Sequence, residues 1–275
     1  MPIGLGVALG IGGGKPATSS GAPPAASGDP NELAYSGGDP ASGTNYVVSV
    51  APVLHFDASR ITGLSNGDAV ASWPDRSGNG YNATQTSAAN KPTYRASGQN
   101  SKPYLEWDGS NDVLDIASGG GISDDFTLVV AGKRDSTSSI YIPISTDDST
   151  YQYYFNYHSN DVLYPFGAYA TSSKFSNDLT SFDFAWLMRD TSNVAKMYER
   201  DGGTQVDSRT WSTVSTLDYN KLGTRKDGGF YTDGDIYEII IFNSQLSTTD
   251  LNVVLDYLDN KYHATSGGNS HTNFS

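Results

Sequence analysis

Between residues 46 and 263 the chain breaks into short apolar runs, mostly of period two, separated by Gly, Asn, Asp and Ser. Alternation of this kind predicts half-buried strands joined by tight turns. "PVLHFD", "AVASWPD", "YLEWDG" and "DVLDI" lead to "FTLVVAGK" (126–133), which is apolar at consecutive positions. A central strand covered on both faces carries that pattern. "SIYIPIS", "YQYYFNY", "FDFAWLM", "AKMYER" and "TQVDSRTW" follow, and "DIYEIIIF" (235–242) is the last strong strand. One segment departs from period two. In "STTDLNVVLDYLDNKY" (247–262), Leu251, Val254, Leu255, Leu258 and Tyr262 recur at helical spacing. Ser247 or Thr248 can cap this helix, and Asp250 favours the positive end of its dipole. Many short strands at close spacing, then one helix, predict an all-β, antiparallel sandwich with the helix on an edge or end.

The pattern changes near residue 45. Eleven of the 30 Gly and six of the 12 Pro lie before it, among few large apolar side chains. Residues 1–45 are expected to form an extended arm and linker, 46–263 the packed domain, and 264–275 a polar tail. Inside the arm, Ile3, Leu5, Val7, Leu9 and Ile11 alternate strictly with Pro2, Gly4, Gly6, Ala8 and Gly10. This is a docking-strand pattern, suited to β-addition to a neighbouring subunit. Other readings of the opening segment fail at named residues. No Lys or Arg precedes Lys15, as a signal peptide requires. Pro16 stands where a phosphate loop needs Ser or Thr, and Leu9 where it needs Gly. The apolar run is too short and too rich in Gly for a membrane anchor.

Composition narrows the partners. Of 275 residues 37% are hydrophobic, enough for a sizeable core, and the net charge of −13 repels phosphate backbones, so nucleic acid is not an expected partner. The chain has no Cys, which excludes disulfides, thiolate metal sites and cysteine nucleophiles. No apolar run reaches the roughly 20 residues of a membrane span, so membrane insertion is not expected.

Three segments together resemble the laminin-G-like, concanavalin A-like jelly-roll superfamily. They are "LHFDASRITGLSNGDAVASWPDRSGNGYNATQ" (54–85), "YLEWDGSNDVLDI" (104–116) with "FTLVVAGK" after it, and "KLGTRKDGGFYTDGDIYEIIIFNSQLSTTDLNVVLDYLDNKY" (221–262). The resemblance covers most of 46–263. It implies a jelly-roll sandwich, and a function among lectins, glycan-binding modules, glycosidases, adhesion domains and surface parts of bacteria and viruses. With its "W-x-D-x-S-G-x-G" loop and low-complexity arm, the chain looks most like domains on tailed-phage particles and bacterial surface proteins.

Three constellations carry candidate chemistry. Asp233, Asp235 and Glu238 are the nearest match to the paired carboxylates that superfamily glycosidases set on one strand. Without a bulge, Glu238 would point away from the other two and sit at a sheet surface. Asp108, Ser110 and Asp112, with Asp75 from "WPDRSGNGYNA", are oxygen ligands for calcium, unless they are hydrogen-bonded turns. No other cofactor is expected. In "YQYYFNYHSNDVLYPFGAY" (151–169), Gln152, Tyr154, Asn156 and His158 share one face, a polar-aromatic platform for a glycan or an ordinary solvated sheet. His55, between Leu54 and Phe56, reads as a structural histidine rather than a metal ligand.

The leading expectation is therefore a non-enzymatic phage virion protein: a capsid decoration, head-fibre or tail-associated component. It would be homo-oligomeric and held to other virion proteins by its arm. A glycan-binding adhesion module on a surface or secreted protein is the alternative, and a glycoside hydrolase the third reading.

Overall fold

The computed structural model describes residues 32–35, 46–116, 121–122, 125–136, 138–146, 154–158, 162–163, 179–192, 194–199, 205–210, 217–225 and 228–263. Its strands are β1 (Leu33–Tyr35), β2 (Tyr46–Val48), β3 (Leu54–Asp57), β4 (Ser72–Trp73), β5 (Ala83–Thr84), β6 (Thr93–Arg95), β7 (Tyr104–Asp108), β8 (Leu114–Ile116) and β9 (Gly121–Ile122). Then come β10 (Phe126–Arg134), β11 (Tyr141–Thr146), β12 (Tyr154–His158), β13 (Val162–Leu163), β14 (Asp183–Arg189), β15 (Val194–Glu199), β16 (Gln205–Thr210), β17 (Leu217–Leu222) and β18 (Asp233–Phe242). The helix α1 (Thr248–His263) ends the described chain.

These strands build an antiparallel β-sandwich. One eight-stranded sheet has the order β16-β15-β14-β10-β18-β7-β6, with β3 also paired to β18. The other runs β13-β12-β11-β17-β8-β5-β4, with β9 also paired to β17. An inner core fills the space between the sheets with Phe56, Trp73, Trp107, Leu128, Tyr219 and Ile239. A second core lies on the outer face of the first sheet, where Val129, Trp186, Ile240 and Phe242 meet Leu251, Leu255 and Leu258 of α1. The unbroken apolar run of β10 follows directly. Leu128 and Val130 serve the inner core, while Val129 and Ala131 serve the outer one. Gly223 closes the turn after β17 at φ +82°, where a Cβ would lie 2.0 Å from Cζ3 of Trp107.

The helix has the face its spacing predicts: Leu251, Val254, Leu255, Leu258 and Tyr262 are all buried. Ser247 caps its start. The Asp250 N–H donates to Ser247 Oγ, and the Ser247 hydroxyl donates to Asp250 Oδ2 at 2.9 Å. Asp250 also accepts the Ser49 backbone N–H and hydroxyl, each at 2.7 Å. That grip ties α1 to the segment after β2.

Leu33–Tyr35 lies within the stretch expected as arm and linker, yet it forms β1 and pairs in parallel with β2. Leu33 and Val48 pack into the outer core. The docking-strand residues Ile3, Leu5, Val7, Leu9 and Ile11 lie outside the described residues. Among the described residues, no helix is long and apolar enough to cross a membrane.

Candidate functional site

Strand β18 shifts its register against β10 and exchanges its other partner around one residue. Towards β10, Ala131 pairs with Glu238 and Gly132 with Ile236, so Tyr237 is an extra residue, a β-bulge. Towards the other edge, β3 ends with Asp57 opposite Glu238, and β7 takes over with Leu105 opposite Ile236. The sheet forks there. The bulge also shifts the alternation of side chains by one. Ile236 and Ile239 enter the inner core, whereas Tyr237 and Ile240 enter the outer one. Glu238 reaches three side chains of α1. Asp235 lies directly opposite Lys133 and forms an ion pair with it. Gly132, the residue before Lys133, faces Tyr141 of the inner core, so Lys133 and Asp235 take the helix side. Asp235 and Glu238 thus share a face, contrary to the expectation from unbroken alternation.

One group of polar side chains at the fork is sealed. Glu238, 1% exposed, is covered by α1 rather than lying at a sheet surface. Its Oε1 lies 2.7 Å from His55 Nε2 and accepts the Tyr257 hydroxyl at 2.8 Å. Its Oε2 accepts Lys261 Nζ at 2.7 Å and the Tyr262 hydroxyl at 2.8 Å. Lys261 also reaches Asp57 Oδ2 at 2.8 Å. The Tyr35 hydroxyl hydrogen-bonds His55 Nδ1, and Glu32 forms ion pairs with Arg60 and Arg76 beside it. Burial pushes the carboxyls of Asp57 and Glu238 up, but the Lys261 ammonium, helped by His55, holds both below the usual carboxylate range. Burial raises the Tyr35, Tyr257 and Tyr262 hydroxyls well above theirs. His55, Asp57 and Glu238 offer ligand atoms within 4.8 Å of one another. The ammonium bridging the two carboxylates already stands where a cation would. Two ionised carboxylates locked by one lysine have no proton to give, so this group suits stability rather than acid–base chemistry.

The second group is open. Across β10, β18 and β7 runs a row in which Lys133 faces Asp235 and Asp235 faces Glu106. Directly opposed positions put Cβ atoms about 5 Å apart. Lys133 Nζ lies 3.2 Å from Asp235 Oδ2 and 3.4 Å from Asp135 Oδ1. Glu106 Oε2 accepts Arg95 Nε at 2.7 Å. Asp235 forms the floor, 5% exposed at its side chain, while Lys133, Glu106 and Arg95 are about a third exposed (32%, 35% and 35%). Burial raises the Asp235 carboxyl to about 6 against the pull of Lys133. Burial lowers Lys133, but Asp235 and Asp135 together outweigh it and raise the ammonium above its ordinary value. Tyr237 stacks on Tyr104 beside the row, with ring centroids 4.9 Å apart.

The fork separates the calcium candidates. Asp75 bridges to Phe56, which is opposite Ile239, whereas Asp108 is opposite Asp233. Six positions along a strand separate these two places by about 20 Å, which corrects the expectation that Asp75 joins the Asp108 loop. Asp108 Oδ1 accepts the backbone N–H of Ser110 at 2.8 Å, and Asp112 Oδ2 accepts that of Asp108 at 3.0 Å. Asp75 accepts the N–H groups of His55, Ser77 and Tyr81. All three carboxylates close loops of their own chain, as Asx-type turns do. Of the glycan-platform residues, Gln152 lies outside the described residues, and Tyr154, Asn156 and His158 occupy alternate positions of β12. Sequence reasoning found Asp235 and Glu238 but missed Glu106 and Lys133, whose roles arise from register between distant strands, and Lys261, whose role arises from the packing of α1 on the sheet.

No family model matches the sequence, and no curated protein matches it. Solved structures do. Domain 4 of AbnA, a GH43 extracellular arabinanase from Geobacillus stearothermophilus, in complex with arabinotriose, is 14% identical with a TM-score of 0.52. The match covers 76% of this chain and 98% of that one. Trypanosoma rangeli sialidase in complex with 2,3-difluoro-KDN is 14% identical with a TM-score of 0.53, over 77% of this chain and 33% of that one. The same sialidase with 2,3-difluorosialic acid, a covalent intermediate, gives 15% and 0.50, over 81% and 35%. This chain therefore spans about a third of the sialidase chain it matches.

The shared feature is the lectin-type β-sandwich. These matches correct two expectations. The solved structures that share this fold are parts of a sialidase and of an arabinanase, not of a virion or an adhesin, so the virion role, its adhesion-module alternative and the expectation of a chain that is not an enzyme are not retained. At 14% identity the likeness is one of fold.

Proposed function

We propose that this chain acts on glycosides through the Asp235–Glu106 pair, in a sandwich of the concanavalin A-like jelly-roll kind. The observation that carries this reading is the inequality of two directly opposed carboxyls. Asp235 has a value raised to about 6 by burial, while Glu106 is more exposed and held by a guanidinium. Two-carboxylate hydrolysis needs this division, one group to protonate the leaving oxygen and one to act as nucleophile or base. Asp235 takes the acid role and Glu106 the other; Lys133 and Arg95 hold the two in place. The matched folds support the reading, since their structures are described with arabinotriose or sialic-acid analogues.

Its test is release of reducing sugar from a panel of arabinan, xylan and sialylated glycans by the full chain. Asp235→Asn and Glu106→Gln are each expected to lower turnover by about 100-fold or more. Hydrolysis that survives both changes sinks the assignment. A second reading is favoured by the arabinanase match, which covers 98% of a single domain described with a bound trisaccharide. In that reading the sandwich is the carbohydrate-binding domain of a larger glycoside-processing enzyme. Calorimetric binding of oligosaccharide with no hydrolysis by the wild type would select it.

A further inference from the structure

We propose that Tyr141, in the opposite sheet, is a positioning residue for Asp235, holding through the core the stretch of β18 backbone that carries this carboxylate. The proposal rests on the preceding reading only in treating Asp235 as a functional group.

A carbonyl oxygen has two lone pairs, so beside its place in the ladder a buried strand carbonyl can accept a second hydrogen bond. Tyr141, 0% exposed, supplies one. Its hydroxyl crosses the inner core and donates to the Asp235 carbonyl at 3.0 Å. Gly132 makes the room for it: a Cβ there would lie 1.9 Å from Tyr141 Oη and 2.4 Å from the Asp235 carbonyl oxygen. On the other side of Asp235, a Cβ at Gly234 would lie 2.3 Å from the Lys133 carbonyl oxygen, so only glycine fits there. The start of β11 is fastened to the start of β18 as well. The Ile142 N–H donates to Thr232 Oγ1 at 2.8 Å, and the Asp233 N–H donates to the Ile140 carbonyl at 2.8 Å. Tyr141 is thus the innermost of three ties that fix this backbone to the facing sheet. The charged and titratable side chains around Asp235, besides Tyr141 from β11, are Lys133 and Asp135 from the β10 side, Glu106 and Tyr104 from β7, Arg95 from β6 and Tyr237 from β18 itself. None of them is altered by a change at Tyr141.

The experiment is a carboxyl ¹³C NMR titration of the full chain, with Asp235 assigned through Asp235→Asn. Tyr141→Phe removes one hydroxyl and no ring volume. The expected result is a fall in the Asp235 midpoint by half a unit or more, as the strand relaxes and water reaches the carboxyl. Gly132→Ala keeps the hydroxyl but drives it away, and is expected to move the midpoint the same way. A Tyr141→Phe variant that loses thermal stability while Asp235 titrates as in the wild type overturns the proposal, whatever Gly132→Ala does. If the wild type hydrolyses a glycoside, Tyr141→Phe should lower kcat and shift the alkaline limb of the pH profile, which the acid Asp235 sets, to lower pH with KM unchanged. A wild type without hydrolysis whose Asp235 midpoint still responds to Tyr141→Phe leaves the positioning role standing and refutes the glycosidase reading alone.

Discussion

Replacing Lys261 by Met tests the sealed group directly. The ammonium lies 2.7 Å from Glu238 and 2.8 Å from Asp57, with all three side chains at most 7% exposed. Methionine preserves most of the volume, so the change removes the charge and its hydrogen bonds rather than the packing. Two buried carboxylates then lose their shared cation. Breaking a buried ion pair in this way costs about 3–5 kcal/mol. For a domain of this size, at roughly 2–4 °C per kcal/mol, the melting temperature should drop by about 10–15 °C at pH 7. The pH dependence gives a second reading. In the wild type, Asp57 and Glu238 are held below their ordinary values of 3.8 and 4.5, so their contribution is present above those values and lost as pH falls through the depressed ones. In the variant, burial is no longer opposed by Lys261 and both carboxyls rise, so stability returns on acidification. The gap between the two proteins should therefore be widest near neutrality and narrow below about pH 4. Thermal melts followed by circular dichroism at pH 4 and pH 7 measure both effects. A loss under about 1 kcal/mol at pH 7, or a gap that does not change with pH, would refute the reasoning.

Two further outcomes follow from single positions. Gly223→Ala forces a Cβ to 2.0 Å from Trp107 at φ +82°, and overpacking plus left-handed strain should cost about 3–5 kcal/mol in urea unfolding; a cost near zero would mean the turn after β17 is not held as described. Burial raises the Asp112 carboxyl from 3.8 to about 6, so its contribution is intact below about pH 4 and lost as pH rises through 6. Asp112→Asn, whose amide oxygen can still accept the Asp108 N–H, should raise the melting temperature at pH 8 and leave it unchanged at pH 4, and an equal effect at both would contradict this.

The parts of the fold legible in the sequence are those decided by local pattern. The spacing of Leu251, Val254, Leu255, Leu258 and Tyr262 gave the helix face, and "FTLVVAGK" gave a strand with a core on each side. The fork was not legible, because the bulge at Tyr237 is a register shift against Ala131 and Gly132 of β10, far away in the chain. For the same reason Glu238 could be recognised as a carboxylate of interest but not as a buried one. Its burial comes from α1, and its neutralisation from Lys261, which looks in sequence like an ordinary solvated residue of a last helical turn. Asp235 lacked its partner because Glu106 meets it only through the pairing of β7 with β18. The calcium pattern has two physical readings. Alternating oxygens at Asp108, Ser110 and Asp112 serve equally well to close a turn on backbone N–H groups.

The placement of β18 also bears on how the chain is made. Strands β3, β7 and β10 all pair with it, and it occupies Asp233–Phe242, followed only by α1 among the described elements. During synthesis from the amino terminus, at about 5–20 residues per second, those strands emerge without the neighbour that joins them. His55 and Asp57 wait longer still, until Lys261 leaves the ribosome. The nascent domain thus exposes unpaired strand edges for about ten seconds or more, and its first cooperative closure is timed by the arrival of one late strand and one lysine.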